Sequence, residues 1–368
     1  MSDGGPLTRT ASVIQEGIDA GLHLGAQVAV WPEKATTPTL LSLGDASLGV
    51  PMTHNHLLPW LSATKAVAAI AIAQLWELGR VGLDEQVIAY LPEFESYGKD
   101  VITLRHLLTH TGGFRAAPYD YPRDDWDTIL QTIYDARLEP DWVPGHKAGY
   151  HITTSWFVLG EIIQRLSGQS FTEYVRSHIF EPLGMTDCHI GMSDTDYDSL
   201  TPRIAVVPDT ARKDRPLRPW TTRPFLTGCS PASNGIGPAR ELVRFYKALV
   251  TGGALDNQRI LDPEAIELFT ARHRVNLYDH TFKATMDWGL GFILDSKDYG
   301  KEIVPYGYGP HASHYTFGHS GNQASAAFAD AAHNLAVAIL WNGTPGEPAH
   351  QDRVHRTLGA LYEDLDLA

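Results

Sequence analysis

The chain has 368 residues, enough for about two domains or one large composite fold, and enough for a sizeable core without a disulfide or metal. Its 43 acidic and 29 basic residues leave a formal net charge of −14, which argues against nucleic acid and anionic membranes as partners. The two cysteines, Cys188 and Cys229, exclude a disulfide framework and a cysteine zinc site, and the sequence leaves open whether they pair.

The opening residues, Met1 to Arg9, lack the apolar stretch of a secretory signal. No apolar run reaches the ~20 residues that a membrane span needs. The sequence therefore predicts a cytoplasmic, globular protein without a membrane partner, and it leaves the oligomeric state open.

The chain begins with strand patterns. Residues 24–34 and 38–46 are apolar or β-branched on either side of a polar turn that contains proline, which predicts a hairpin. A helix rich in Ala and Ile is predicted from Ser62 to Leu78, and Gly79 ends it. Because apolar residues cover most of its circumference, we expect this helix to be buried.

The middle of the chain has helical patterns separated by loops. Helices are predicted at 104–109, 155–166, 171–180 and 239–250. Residues 198–225 hold five prolines and five arginines, which predicts a long surface loop. An anionic substrate is one possible partner of those arginines, and a solvated surface is the more usual interpretation in so acidic a chain.

Strand patterns return near the C-terminus. Residues 288–294 predict a strand, and residues 325–330 and 335–341 predict a second hairpin. Residues 350–365 predict a closing helix. With strands at both chain ends and helices between them, the sequence predicts an α+β sheet domain with an inserted helical domain.

The first motif that carries chemistry is Ser62-Ala-Thr-Lys65, at the start of the helix rich in Ala. Two residues three apart share a helix face, and the helix dipole and unpaired N–H groups at that end favour negative charge on Oγ. A desolvated lysine has a lowered pKa and can accept the proton of the serine. Ser96-Tyr-Gly-Lys99 has the same spacing without an apolar helix behind it, so we interpret it as a chance match.

The second motif runs from Pro144 to Ile152 and contains Tyr150 between a glycine-rich turn and the helix at 155–166. A tyrosine in this position can project its hydroxyl into a cleft. Its ordinary pKa is ~10, so it needs a nearby cation such as Lys65 to act as a base. A packing tyrosine at a helix entrance is the alternative interpretation.

The third motif, His319-Ser320-Gly321-Asn322, precedes the strand at 325–330. Glycine here would let a substrate lie against a strand edge, and the N–H of Asn322 would donate to an oxyanion. The four residues are candidates for substrate binding, and a plain turn before a strand is the alternative.

In this order and at these separations, the three motifs resemble those of the serine β-lactamase and penicillin-binding-protein superfamily. The resemblance is closer to its class C-like branch, which includes the family VIII carboxylesterases, and it spans about residues 14–361. It implies an antiparallel sheet flanked by helices, with the active site where an inserted helical domain meets it. The expected sheet domain is 1–80 with 235–368, and the expected helical domain is 81–234.

The resemblance also implies roles for these residues. Ser62 would be the acylated nucleophile, Lys65 would help to deprotonate it and hold the positive charge of the site, and Tyr150 would act as general base and then acid. The N–H groups of Ser62 and Asn322 would form the oxyanion hole. His319 would orient Tyr150 or contact the substrate. The implied reaction is two-step acyl transfer that uses neither a metal nor another cofactor.

Two positions depart from the pattern of β-lactamases and cell-wall peptidases. Residue 152 is Ile where those enzymes have Asn, and residue 319 is His where they have Lys. The expected function is therefore esterase-like hydrolysis of a small ester or amide. Acyl transfer to an alcohol or amine is the alternative, which a dry cleft lined by the aromatic residues of 306–317 would favour. β-Lactamase or D-amino-acid peptidase activity is less favoured.

Two other classes of function compete with this prediction. A metalloenzyme built on His54 and His56 lacks a His-Glu-x-x-His motif or a carboxylate cluster at ligand spacing. A non-catalytic binding protein would not need Ser62, Lys65 and Tyr150, all of which are present.

Overall fold

The computed structural model describes residues 7–300 and 306–368. Residues 1–6, on which part of the secretory-signal prediction depends, lie outside the described residues. The helices of the described ranges are α1 (Thr8–Asp19), α2 (Thr64–Glu77), α3 (Leu104–Leu108), α4 (Trp126–Tyr134), α5 (Thr154–Ser167), α6 (Phe171–Val175), α7 (Asp194–Leu200), α8 (Arg223–Thr227), α9 (Ala239–Val250), α10 (Pro263–Thr270) and α11 (Glu347–Asp364). The strands are β1 (Gly25–Trp31), β2 (Thr39–Ser47), β3 (Val50–Pro51), β4 (Leu58–Pro59), β5 (His189–Ile190), β6 (Gly235–Gly237), β7 (Ala254–Leu255), β8 (Gln258–Arg259), β9 (Arg274–Asp279), β10 (Ala284–Trp288), β11 (Ile293–Leu294), β12 (Thr316–Gly321), β13 (Ser325–Asp330) and β14 (Leu335–Trp341).

A nine-stranded antiparallel sheet joins the two ends of the chain. Its strand order is β3-β2-β1-β14-β13-β12-β11-β10-β9, and β1 pairs with β14 from Ala26↔Trp341 to Trp31↔Ala336. Both predicted hairpins, β1–β2 and β13–β14, are present. The predicted α+β class with an antiparallel sheet flanked by helices is confirmed.

The central strands are covered on both faces, which explains why their sequence is continuously apolar. Successive side chains point to opposite faces. Val28 and Val30 belong to a core cluster with Ile14 of α1 and Leu358 of α11, whereas Ala29 belongs to a cluster that includes α9. The sheet is thus sandwiched between the terminal helices and α9.

Helix α2 lies in the middle of the protein, as its composition predicts. Every residue from Thr64 to Leu75 is buried, and the helix packs against α5, α6, α10 and β12. A 3₁₀ turn, Leu61–Ala63, leads into it, and Leu61 takes the left-handed conformation with φ 49°. This turn carries Ser62.

A small sheet with the order β4-β6-β5 connects distant parts of the chain. β4 comes shortly before Ser62, β6 begins at the predicted domain boundary near residue 235, and β5 belongs to the predicted helical domain. The division into 1–80 with 235–368 and 81–234 stays a prediction.

Two predicted elements, at residues 288–294 and 198–225, differ from the structure, and not every helix was predicted. Residues 288–294 are not one strand, because β10 ends at Trp288 and the chain turns before β11; Gly291, with φ 85°, comes so close to α2 that a Cβ would lie 2.5 Å from Ala69 Cβ. The third motif lies at the end of β12, and Asn322 directly follows that strand. Residues 198–225 contain short helices, including α8, and α1 was not predicted.

The five arginines between residues 203 and 223 are mostly neutralised by aspartates. The ion pairs are Arg203–Asp187, Arg212–Asp214, Arg218–Asp209 and Arg223 with Asp194 and Asp198. These contacts favour a solvated surface segment over an anion-binding site.

The two cysteines do not form a disulfide. The Cys188 thiol donates to Glu241 Oε2 at 3.3 Å, and Cys229 Sγ accepts from Thr172 Oγ1 at 3.6 Å. Among the helices of the described residues, none combines the length and the apolar character needed to cross a bilayer.

Gly321 gives a test of how the sheet meets the turn before α2. A Cβ at this position would lie 2.0 Å from the Trp60 carbonyl oxygen, so Gly321→Ala must push β12 away from that turn. We expect a loss of stability of ~2 kcal/mol, seen as a lower melting temperature. Gly359→Ala in α11 is the matched control, because its Cβ would meet Pro310 at an ordinary 3.5 Å. Equal melting temperatures for the two variants would contradict this packing.

Candidate active site

The turn that carries Ser62 is fixed from both sides. The Ser325 hydroxyl of β13 donates to the Trp60 carbonyl at 2.7 Å, and the Thr64 hydroxyl donates to the Leu61 carbonyl at 2.6 Å. The Gly235 N–H of β6 in turn donates to Thr64 Oγ1 at 2.9 Å. Half-buried Ser62 is therefore held at the start of α2, where backbone N–H groups lack helical partners.

Lys65 is fully buried below this turn. Its Nζ donates to Ser62 Oγ at 3.1 Å and to the Ala232 carbonyl at 2.9 Å. No carboxylate of the described residues forms an ion pair with it, and Nζ lies 5.1 Å from the centre of the Tyr150 ring. Burial lowers the pKa of Lys65 well below 10.5, because the charged form loses its hydration. A neutral amine here can accept the hydroxyl proton of Ser62.

Tyr150 is buried beside Ser62 and Lys65. Burial raises the pKa of Tyr150 above the ordinary 10, and the nearby negative charge of Asp279 raises it further. A hydrogen bond with the Ser62 side chain acts in the opposite direction. We expected the Lys65 charge to lower the pKa of Tyr150. The structure instead shifts the pKa values of the two groups in opposite directions, which favours a neutral lysine and a protonated tyrosine.

A buried ion pair positions Tyr150, and the sequence analysis missed it. Asp279 Oδ1 accepts from the Tyr150 N–H at 3.1 Å, and Asp279 Oδ2 lies 3.0 Å from the Arg274 guanidinium. Arg274 also donates to the Thr109 carbonyl at 3.1 Å. Both charged groups lie at the ends of β9, and the sequence has no local signal that pairs them with residue 150.

His319 is buried in β12 near Tyr150, with ring centres 6.1 Å apart. Its Nδ1 donates to the Ser320 carbonyl at 2.8 Å. In the neutral ring Nε2 therefore carries no proton. Nε2 has no hydrogen-bond partner among the described residues. Burial lowers the pKa of His319 to about 3, and the Lys65 charge adds to this effect. Burial therefore favours the neutral imidazole near pH 7.

Gly321 and Asn322 lie where β12 meets the turn of Ser62. The missing side chain of Gly321 makes room for the Trp60 carbonyl, and the expectation that a substrate lies against this strand edge stays a prediction. The backbone N–H groups of Ser62 and Asn322 donate to no described residue. Both residues line one cavity, and their part in an oxyanion hole stays a prediction.

The cavity has a volume of about 280 Å³ and opens onto Ser62. It is lined by Ser62, Tyr150, Ile152, Thr281, Phe282, Tyr306, His319, Ser320, Asn322 and Glu347. All three predicted motifs therefore contribute to one site, whereas Thr281, Phe282 and Glu347 were not predicted. Of the predicted aromatic residues between 306 and 317, Tyr306 alone lines the cavity; Tyr308 is buried in the sheet core, and Tyr315 is 70% exposed.

The residues proposed for the competing metal site have other contacts. His54 Nδ1 is 2.6 Å from the Ser42 hydroxyl, and His56 Nδ1 accepts from the Thr53 N–H at 3.0 Å. In residues 7–300 and 306–368, no group of three or more His, Cys, Asp or Glu side chains is placed to hold a metal ion.

Comparison with known proteins identifies the family. The model of the Beta-lactamase family matches residues 10–361. The chain belongs to the Beta-lactamase family. This membership confirms the predicted resemblance and supports hydrolase activity.

Relatives of this family member include esterases and penicillin-binding proteins. The chain is 25% identical over 317 residues to the "Esterase/beta-lactamase LipL" of Mycobacterium tuberculosis, which covers 80% of this chain and 71% of that protein. It is 28% identical to penicillin-binding protein 4 of Amycolatopsis lactamdurans, over 92% and 85% of the two chains. A family VIII carboxylesterase structure superposes with a TM-score of 0.81 at 25% identity, over 98% of both chains.

The pKa directions predict how activity depends on pH. If neutral Lys65 accepts the Ser62 proton, kcat/KM is lost as the pH falls through the lowered pKa of Lys65 and reaches its plateau well below pH 10.5. Lys65→Arg should be inactive at every pH, because a guanidinium stays charged. A pH profile on a neutral ester, with a thermal melt of the variant as the folding control, measures this. Activity that appears only when tyrosine ionises would contradict the assignment.

Proposed function

We propose that this chain is a serine hydrolase that cleaves small esters or amides through a covalent acyl-Ser62 intermediate. The observation that carries the proposal is a buried lysine, without a carboxylate partner, whose Nζ lies 3.1 Å from Ser62 Oγ. A serine that is hydrogen-bonded to a neutral amine is an activated nucleophile. The esterase relatives support the ester as the substrate class.

Acylation follows from the geometry of the three side chains. Neutral Lys65 takes the Ser62 proton as Oγ bonds to the carbonyl carbon of the substrate. The N–H groups of Ser62 and Asn322 hold the resulting oxyanion, a contribution of ~3 kcal/mol per donor. The protonated Tyr150 gives its proton to the leaving alcohol or amine as the bond to the carbonyl carbon breaks. Lys65, now an ammonium, passes its proton to the tyrosine oxygen and returns to its neutral form.

Deacylation reverses these proton movements with water as the nucleophile. Water attacks the acyl-Ser62 carbonyl carbon and gives a proton to the neutral amine of Lys65, which then returns that proton to Ser62 Oγ. Ser62 Oγ regains a proton as its bond to the acyl carbon breaks, and the free acid leaves. The unpartnered Nε2 of His319 is an acceptor available to the water or to the substrate.

The walls of the cavity disfavour a β-lactam or a peptide that ends in a carboxylate. His319 is neutral. The side chain of Ile152 is exposed and apolar, at the position where the resemblance places the Asn of β-lactamases. No lysine or arginine of the described residues lines the cavity. Acyl transfer to an alcohol would use the same acyl-enzyme, and product analysis with added alcohols distinguishes it from hydrolysis.

The two Ser-x-x-Lys segments supply a matched pair of variants. Ser62→Ala should lower kcat on p-nitrophenyl butyrate by at least about 10³-fold, because it removes the nucleophile. Ser96→Ala should leave kcat unchanged, since Ser96 is exposed and Lys99 Nζ contacts its carbonyl at 2.7 Å instead of its hydroxyl. Steady-state kinetics on both variants measures the difference. Substantial turnover by Ser62→Ala would refute the proposal.

A further inference from the structure

A carboxylate without a cationic partner lines the catalytic cavity. Glu347, the first residue of α11, shares the cavity with Ser62 and Asn322. Its Oε1 accepts from Gln323 Nε2 at 3.0 Å and from the Tyr306 hydroxyl at 3.3 Å. The other carboxylate oxygen has no hydrogen bond to a described residue, and no described Lys or Arg forms an ion pair with Glu347.

The position of this carboxylate is fixed relative to the proposed oxyanion hole. Gln323 directly follows Asn322, and its side-chain carbonyl accepts from the Gly346 N–H at 2.8 Å while its amide donates to Glu347. Buried Arg353 holds the same turn from behind by donating to the Gln323 carbonyl at 3.1 Å. Glu347 is exposed, but hydrogen bonds from Gln323 and Tyr306 attach its carboxylate to the turn that follows Asn322 and to the cavity wall.

The rest of the cavity wall lacks positive charge and is rich in aromatic side chains. Phe282, Tyr150 and Tyr306 line it together with Glu347, and His319 is neutral. A carboxylate beside aromatic rings is a combination that binds ammonium groups, through charge attraction and through cation–π contacts. The cavity volume of about 280 Å³ is near the lower end of the range for ligand sites. A substrate's ammonium group and its reacting carbonyl would therefore lie close together in the cavity.

We propose that the catalytic cavity selects esters or amides that carry a positively charged amine, with the ammonium held by Glu347 and the rings of Phe282 and Tyr306. This inference rests on the proposed function, because it assigns a substrate class to the same site. The formal net charge of −14 acts in the same direction, since it concentrates cations near the protein.

The test compares esters that differ in charge and match in shape. One series is p-nitrophenyl butyrate with trimethylammonium, tert-butyl or carboxylate at the end of the acyl chain. The other compares acetylcholine with its carbon isostere, so that the charge lies on the leaving group. In at least one series, kcat/KM should be at least about fivefold higher for the cation than for the neutral isostere, and the anionic ester should be the poorest substrate.

Two glutamates of α11 give the variant and its control. Glu347→Gln keeps the hydrogen bonds and removes the charge, so the ratio of kcat/KM for cationic over neutral esters should fall toward one. Glu363→Gln makes the same change at the exposed far end of the helix, beside Arg9, and should keep the wild-type ratio. The inference would be overturned if the esters within each series reacted at equal rates and Glu347→Gln had no effect on them. The hydrolase proposal would still stand after that result.

A binding measurement separates the inference from the hydrolase proposal. Calorimetry with phenyltrimethylammonium on the Ser62→Ala variant needs no turnover, and adding Glu347→Gln should weaken binding by at least about fivefold. If Ser62→Ala binds phenyltrimethylammonium no more tightly than the double variant, the cation site is wrong. If the difference is present but no ester is hydrolysed by the wild-type chain, the cation site stands and the proposed function fails.

Discussion

The structure of the site depends on the burial of Lys65 without a counter-ion. Taking an ammonium out of water is costly, and the usual remedy is a carboxylate partner. Here the described neighbours of Nζ are a serine hydroxyl and a main-chain carbonyl, so the neutral amine is the form that burial stabilises. In the proposed mechanism the lysine is therefore the base beside Ser62, and Tyr150, which burial keeps protonated, is the acid.

Helix α2, strand β12 and the pairing of the chain ends together build the fold around buried Lys65. Helix α2 is apolar around most of its circumference, so its first turn lies in the interior, where Lys65 has no exposed surface. Strand β12 can approach that turn only because Gly321 has no side chain, and Asn322, which follows the strand, lines the same cavity as Ser62. The pairing of β1 with β14 joins the two ends of the chain and so holds together segments that are more than 300 residues apart.

The sequence predicted those parts of the site that lie in local patterns. The Ser62-Ala-Thr-Lys65 spacing on an apolar helix, the glycine-rich turn before Tyr150 and the third motif before β13 were all found in this way, and the cavity contains residues from each. Asp279, Arg274 and Glu347 were not predicted, because their importance comes from contacts with residues distant in the chain, such as the N–H of Tyr150. The protonation states of His319 and Tyr150 could not be predicted for the same reason, because they depend on burial, which residue types alone do not determine.

The central claim is that Ser62 is a nucleophile activated by neutral Lys65. Treatment with a fluorophosphonate, which phosphonylates activated serines, followed by intact-mass measurement and peptide mapping tests it most directly. We predict one adduct per chain, on the peptide that contains Ser62, with a labelling rate that falls as the pH falls and with no labelling in Lys65→Arg. Absence of an adduct on the folded wild-type chain, or an adduct on another serine, would contradict the account.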